Sequence, residues 1–231
     1  MDCVFDFKDS DSWLIDIQNF FEKHNVLVDS FEFEDKIKEV IKQYVIKRFT
    51  HIVYYHGTAT DNISSYLQNG ILPSSVQNRI EYARQLLSRQ EFPQITDELF
   101  NQKKNEYLQD TRYILLNEGK IYFVLDADIL TEEGSTYYLC YGGEHLASFV
   151  NSLGGTYMYE LRKKLKPVIF KCKVPINLLE KDDAISTLVD DIIAFYQCED
   201  FFVSSSAPYI MSKIEPECIL GYEYIESIQC D

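Results

Sequence analysis

The chain has 231 residues, 46% of them apolar and 14% aromatic, which suffices for a buried core and excludes a disordered or low-complexity protein. Its 37 acidic against 22 basic residues leave a formal charge of -15, which repels polyanions at long range and disfavours diffuse binding to nucleic acid or an anionic membrane. A basic protein partner suits the same imbalance, and the small clusters Lys36 to Arg48 and Arg162-Lys163-Lys164 with Lys166 still permit a local anion contact.

At the start, Met1 to Asp16 is acidic and lacks the basic start and apolar stretch of a secretion signal; no later run approaches membrane-spanning length. A soluble, cytoplasmic chain without membrane contact is expected. Leu14, Ile17, Phe20 and Phe21, then Ile37, Val40, Ile41, Tyr44 and Val45, recur at helical spacing, and Asp29-Ser30 breaks the run. Two helices therefore form a preface over residues 1–48. The β-branched and aromatic run 49–56 predicts the first core strand, closed by His56-Gly57-Thr58, and 61–69 the first core helix, with Thr60 or Asp61 as its cap. A glycine beside a histidine at a strand end admits a ligand close to the backbone, so this point is expected to floor a pocket.

Residues 74–110 have a charged helical pattern interrupted at Pro93, with Arg79, Arg84, Arg89, Lys103 and Lys104 on its polar face. The stretch is long for a connection and is read as a helical insertion. Lys120 to Leu125 is the next strand by its aromatic and β-branched content. The aromatic segment Tyr137 to Tyr141 leads into the turn Gly142-Gly143 and a helix from Glu144 to Leu153; a helix over 157–164 and a strand over 168–174, ended by Pro175, follow. Residues 183–195 read as a helix, and Asp200 to Val203 and Ile219 to Ile225 as strands around a proline-containing loop.

Six cysteines occur without a C-x-x-C pair and with only four histidines, so reduced thiols and no metal site are expected. Gly142 and Gly143 ahead of a helix offer backbone N–H groups to a phosphate, although Glu144 opposes an anion there. A thiol nucleophile made of Cys140 and His145 lacks a third orienting group and is set aside.

Three pieces remain in chain order: His56-Gly57-Thr58, Gly119-Lys120-Ile121-Tyr122-Phe123, and an acid heading a late apolar strand, Glu199-Asp200-Phe201-Phe202-Val203. In this order they resemble the H-Y-E set of the poly(ADP-ribose) polymerase-like branch of the ADP-ribosyltransferase superfamily. The resemblance spans roughly residues 50–225. It implies an α+β fold, a split β-sandwich of two small sheets, with residues 49–231 as the catalytic domain. It also implies NAD as co-substrate: His56 on a ribose hydroxyl, the Gly57 backbone on the nicotinamide carboxamide beside Thr58, Tyr122 walling the pocket, and Tyr138 or Tyr141 stacking on the ring. Glu199 would be the catalytic acid, with Asp200 and Glu217 as the alternatives, and Glu144 would stand behind the site.

That chemistry suits these residue types, because breaking the bond to nicotinamide builds positive charge on the ribose, which a fixed carboxylate stabilises. The implied activity is mono-ADP-ribosylation of a macromolecule, nucleic acid or protein, by a chain similar to bacterial toxins of toxin–antitoxin and anti-phage systems, with an antitoxin or chaperone as protein partner. Two rivals stand beside it: a catalytically inactive nucleotide- or partner-binding module, and an RNA 2'-phosphotransferase-like enzyme.

Overall fold

A computed structural model describes residues 3–9, 11, 13–23, 34–109, 118–132, 136–181, 184–197, 207–226 and 228. The chain mixes helix and strand, with helix predominating, and the described strands form one four-stranded sheet and one two-stranded sheet. This is an α+β protein.

The sheet strands are β1 (Val4–Phe5), β2 (His51–Thr60), β4 (Lys166–Pro175) and β6 (Ile219–Tyr224), in the order β1-β2-β4-β6, with β1 parallel to β2 and Val4 opposite His51. The small sheet pairs β3 (Ile121–Tyr122) with β5 (Tyr209–Ile210). Chain contacts divide the protein into two compact units: residues 1–56, 122–127 and 171–210, and residues 57–121, 128–170 and 211–231. Both β2 and β4 contribute to each unit.

In the first unit an aromatic core forms around β1. Phe5, Trp13 and Phe49 are almost fully buried. Phe5 lies 5.0 Å from the Trp13 ring and meets Phe49 edge-on at 5.3 Å, and Phe195 meets Trp13 at 5.3 Å. Each such ring removed from water is worth about 1.5–3 kcal/mol, which explains why a two-residue strand that composition alone does not announce is ordered here. Helix α1 (Leu14–Lys23) meets α2 (Glu34–Arg48) through Phe20 stacked on Tyr44 at 4.4 Å and the Arg48–Asp16 ion pair at 2.6 Å. Still in this unit, α9 (Ile176–Lys181) follows β4, and α10 (Ile185–Gln197) packs on α2 with Lys38 3.0 Å from Asp190.

The second unit opens with α3 (Ile63–Asn69), followed by α4 (Val76–Leu86) and α5 (Asp97–Gln109). After β3 come α6 (Tyr137–Tyr141), α7 (Glu144–Leu153) and α8 (Thr156–Lys164). Helices α4, α5, α7 and α8 share one apolar cluster that includes Ile80, Ala83, Phe100, Phe149, Val150 and Leu161. Residues 74–109 thus carry the expected charged face, while their opposite face is core. Four cations of that face are matched locally: Arg84 and Arg89 both engage Asp97, Lys103 pairs with Glu106 at 2.8 Å, and Lys104 reaches Glu81 at 2.7 Å.

Three boundaries differ from the expectation. The first core strand does not close at His56 but runs on to Thr60, because Thr58, Ala59 and Thr60 are themselves buried, at 3%, 1% and 5% exposure. The cap of the next helix accordingly moves from Thr60 or Asp61 to Asn62, whose side chain accepts the Ser65 N–H. Lys120 to Leu125 forms a ladder only over Ile121–Tyr122, with Val124 joining Tyr55 in a separate bridge. No described helix is long and apolar enough to cross a membrane.

Candidate functional site

His56 and Tyr122 both belong to the first unit, and main-chain pairing brings them together across 66 positions of sequence. Tyr55 and Val124 exchange both backbone hydrogen bonds, at 2.8 and 2.9 Å. One residue along from that bridge, His56 Nδ1 lies 2.9 Å from the Tyr122 carbonyl. A carbonyl only accepts, so Nδ1 carries a proton and donates it; in the neutral ring Nε2 is then the nitrogen with the lone pair. Phe123 stands 5.9 Å from the His56 ring and 5.8 Å from Tyr54, which shares the strand face of His56.

Tyr122 also meets a residue that the sequence reading passed over. Its ring lies 5.7 Å from Tyr209, on β5, and Phe123 N–H donates to the Pro208 carbonyl at 2.9 Å. The segment Ala207-Pro208-Tyr209-Ile210 looked like a loop because of its proline; the aromatic-aliphatic pair directly after it was the available strand signal.

In the second unit Gly57 leaves a space that is already used. A Cβ built there would lie 3.1 Å from Leu130 and from Leu139, so any side chain at this position presses on both leucines. The main-chain N–H and C=O are not affected by that packing. Thr58 is buried beside it.

The aromatic segment 137–141 folds as the short helix α6 and separates its tyrosines. Tyr141 packs against the helical apolar cluster and lies 5.2 Å from Tyr137, whereas Tyr138 is 41% exposed. Of the two proposed stacking rings, Tyr138 is the one presented at the surface. Burial raises the pKa of both Tyr137 and Tyr138, with Glu144 adding to the rise, so both hydroxyls stay protonated through neutral pH. Glu144 opens α7, where its negative charge suits the helix N-terminus.

The glycine turn is less free to bind a phosphate than its sequence implied. Gly142, at φ 72°, donates its N–H to the Tyr138 carbonyl at 3.0 Å to close α6. A Cβ there would meet the Ala59 carbonyl oxygen at 2.7 Å, so only glycine fits. Gly143, at φ 118°, has open space around it.

The thiol reading fails at Cys140, which is disulfide-bonded and therefore neither a reduced thiol nor a nucleophile. Its former partner His145 faces inward. It is 4% exposed, Nδ1 lies 3.3 Å from the Tyr107 hydroxyl, and Nε2 has no hydrogen-bond partner. Burial lowers its pKa, aided by Arg79 and opposed by Glu118 and Glu144.

Glu199 and Asp200 lie outside the described residues. Glu217 is exposed in the 3-10 turn Pro216–Cys218 ahead of β6. Among the described residues no group of three or more His, Cys, Asp and Glu is placed to hold a metal ion. No protein-family model matches the chain, and neither curated proteins nor solved structures yield a match.

Proposed function

We propose that the protein is an NAD-dependent mono-ADP-ribosyltransferase with the split β-sandwich of that superfamily, acting on a macromolecule in the cytoplasm as a toxin of a toxin–antitoxin or anti-phage system. One observation carries the reading: the first two motifs of the resemblance, far apart in sequence, are neighbours through the bond from His56 Nδ1–H to the Tyr122 carbonyl. That bond selects the tautomer whose Nε2 accepts a hydroxyl proton, the role that the resemblance assigns to His56 on a ribose of NAD.

The remaining roles follow from the same resemblance. Glu199 stabilises the cationic ribose as the glycosidic bond breaks and then orients or deprotonates the acceptor. Tyr138 supports the flat, partly cationic ring by stacking, worth about 0.5–2 kcal/mol.

The test is release of nicotinamide from NAD by the purified chain, followed against His56→Ala and Glu199→Gln. Turnover that both substitutions abolish supports the transferase. NAD binding without turnover in the wild type identifies a binding module instead, and absence of binding removes the NAD reading altogether.

A further inference from the structure

The second unit exposes a strand whose surface no internal requirement explains. β6 stands at the end of the strand order, and no described strand lies beyond it. Leu220, Tyr222 and Tyr224 point to one face by the two-residue period of a strand, and they are 50%, 44% and 40% exposed. Rings continue inward from them on the same face: Tyr224 meets Tyr222 at 5.6 Å, Tyr222 meets Phe170 at 6.2 Å, and Phe170 stacks on Tyr66 of α3 at 4.9 Å. The Lys166 ammonium lies over the Tyr224 ring at 5.8 Å.

Edge strands are ordinarily blunted by lysine, proline or a bulge. Ile219–Tyr224 contains neither lysine nor proline, and its sole charge is Glu223. Glu223 projects to the opposite face from the tyrosines. Glu217 before the strand and Glu226 after it are exposed as well, and none of the three carboxylates has an ion pair among the described residues.

We propose that β6 accepts, as an added strand, a segment of a partner protein in which apolar residues alternate with lysine or arginine. The partner's apolar side chains would cover Leu220, Tyr222 and Tyr224, and its cations would meet Glu223 and the flanking glutamates. Main-chain bonds supply affinity in this mode, and the two faces supply selection. Charge separates the candidates: a second copy of this chain brings another -15 and its own Glu223, and a nucleic acid meets the same repulsion.

The experiment titrates the full chain with a fluorescent synthetic peptide alternating valine and lysine, followed by anisotropy. Comparators are a valine–glutamate peptide, a valine–lysine peptide with alternate backbone nitrogens methylated, and a single-stranded oligonucleotide. Saturable binding of the valine–lysine peptide alone is expected. It weakens about tenfold in Tyr222→Ser, and the preference turns to the glutamate peptide when Glu223→Lys and Glu226→Lys are combined. Because the charge-swapped chain still binds one peptide, loss through misfolding is recognised. The proposal is overturned by any of four results: no saturable binding, equal binding of the methylated peptide, displacement by the oligonucleotide, or self-association that Tyr222→Ser abolishes.

Discussion

His56 and Tyr138 represent two ways of holding a candidate binding residue. In the first unit His56 is fixed by main chain: a strand pair, two backbone hydrogen bonds at Tyr55 and Val124, and a ring nitrogen bonded to a carbonyl. In the second unit Tyr138 stands on a five-residue helix, its ring partly exposed and 6.5 Å from that of Tyr137. Main-chain pairing fixes where the His56 ring points and survives loss of that ring, whereas the placement of an exposed ring on a short helix depends on local contacts. Substitutions should therefore separate sharply between the two.

The largest effect is expected where the short helix itself depends on backbone. Gly142→Ala forces a left-handed residue against the Ala59 carbonyl, and about 3 kcal/mol of stability should be lost, measured by urea unfolding. An unchanged midpoint would show that the α6–α7 turn adapts more easily than its geometry implies. Next is His56→Ala, which should lower nicotinamide release about a hundredfold while shifting the unfolding midpoint little, since the Tyr55–Val124 bonds remain. Loss of folding instead of activity would make the imidazole a structural bond of the strand pair.

Gly57→Ala sits at the junction of the two cases, because the new methyl meets Leu130 and Leu139 at 3.1 Å. The leucines are flexible side chains, so a cost of about 1–2 kcal/mol is expected. If nicotinamide release falls far more than stability does, the glycine serves the cofactor as well as the core.

How much of this arrangement the sequence disclosed depends on the kind of signal. Helix α7 was readable to its ends because Gly143 precedes it, Gly154 follows it and its apolar residues recur at helical spacing. β6 was readable from its alternating aromatic and aliphatic residues. By contrast β1 has two residues and exists because Trp13 and Phe49 cover Phe5, a tertiary effect with no local pattern. The extension of β2 past Gly57 was hidden for the same reason: burial of Thr58 to Thr60 outweighed the break that a glycine suggests. At the site, motif order singled out His56 and Tyr122, which meet through the His56 imidazole and the Tyr122 main-chain carbonyl, but it could not distinguish the packed ring of Tyr141 from the exposed ring of Tyr138. The disulfide at Cys140 had no counterpart in cysteine spacing.

His145 sharpens the contrast through pH. Burial holds its folded pKa below the ordinary 6.5, so the folded state prefers the neutral ring while the unfolded chain takes up a proton. Its contribution is complete above about pH 6.5 and is lost as pH falls from there through the folded value. One histidine limits the extra slope to about 1.4 kcal/mol per pH unit. His145→Phe keeps a ring against Tyr107 but does not titrate, so the difference between the two unfolding profiles should be constant at high pH and change below 6.5. Parallel profiles would show that burial does not lower the folded pKa of the ring.

Tyr138 carries the smallest expected effect and the most discriminating one. If its ring stacks on nicotinamide, Tyr138→Leu should raise the KM for NAD by up to about tenfold, the range of a cation–π contact, with kcat nearly unchanged. Tyr138→Phe should behave as wild type, because stacking needs the face and not the hydroxyl. Unfolding of both variants should match the wild type, since the ring is 41% exposed. Should Tyr141→Leu rather than Tyr138→Leu raise KM without loss of stability, the packed ring would be the one that meets the cofactor, and α6 would have to turn to present it.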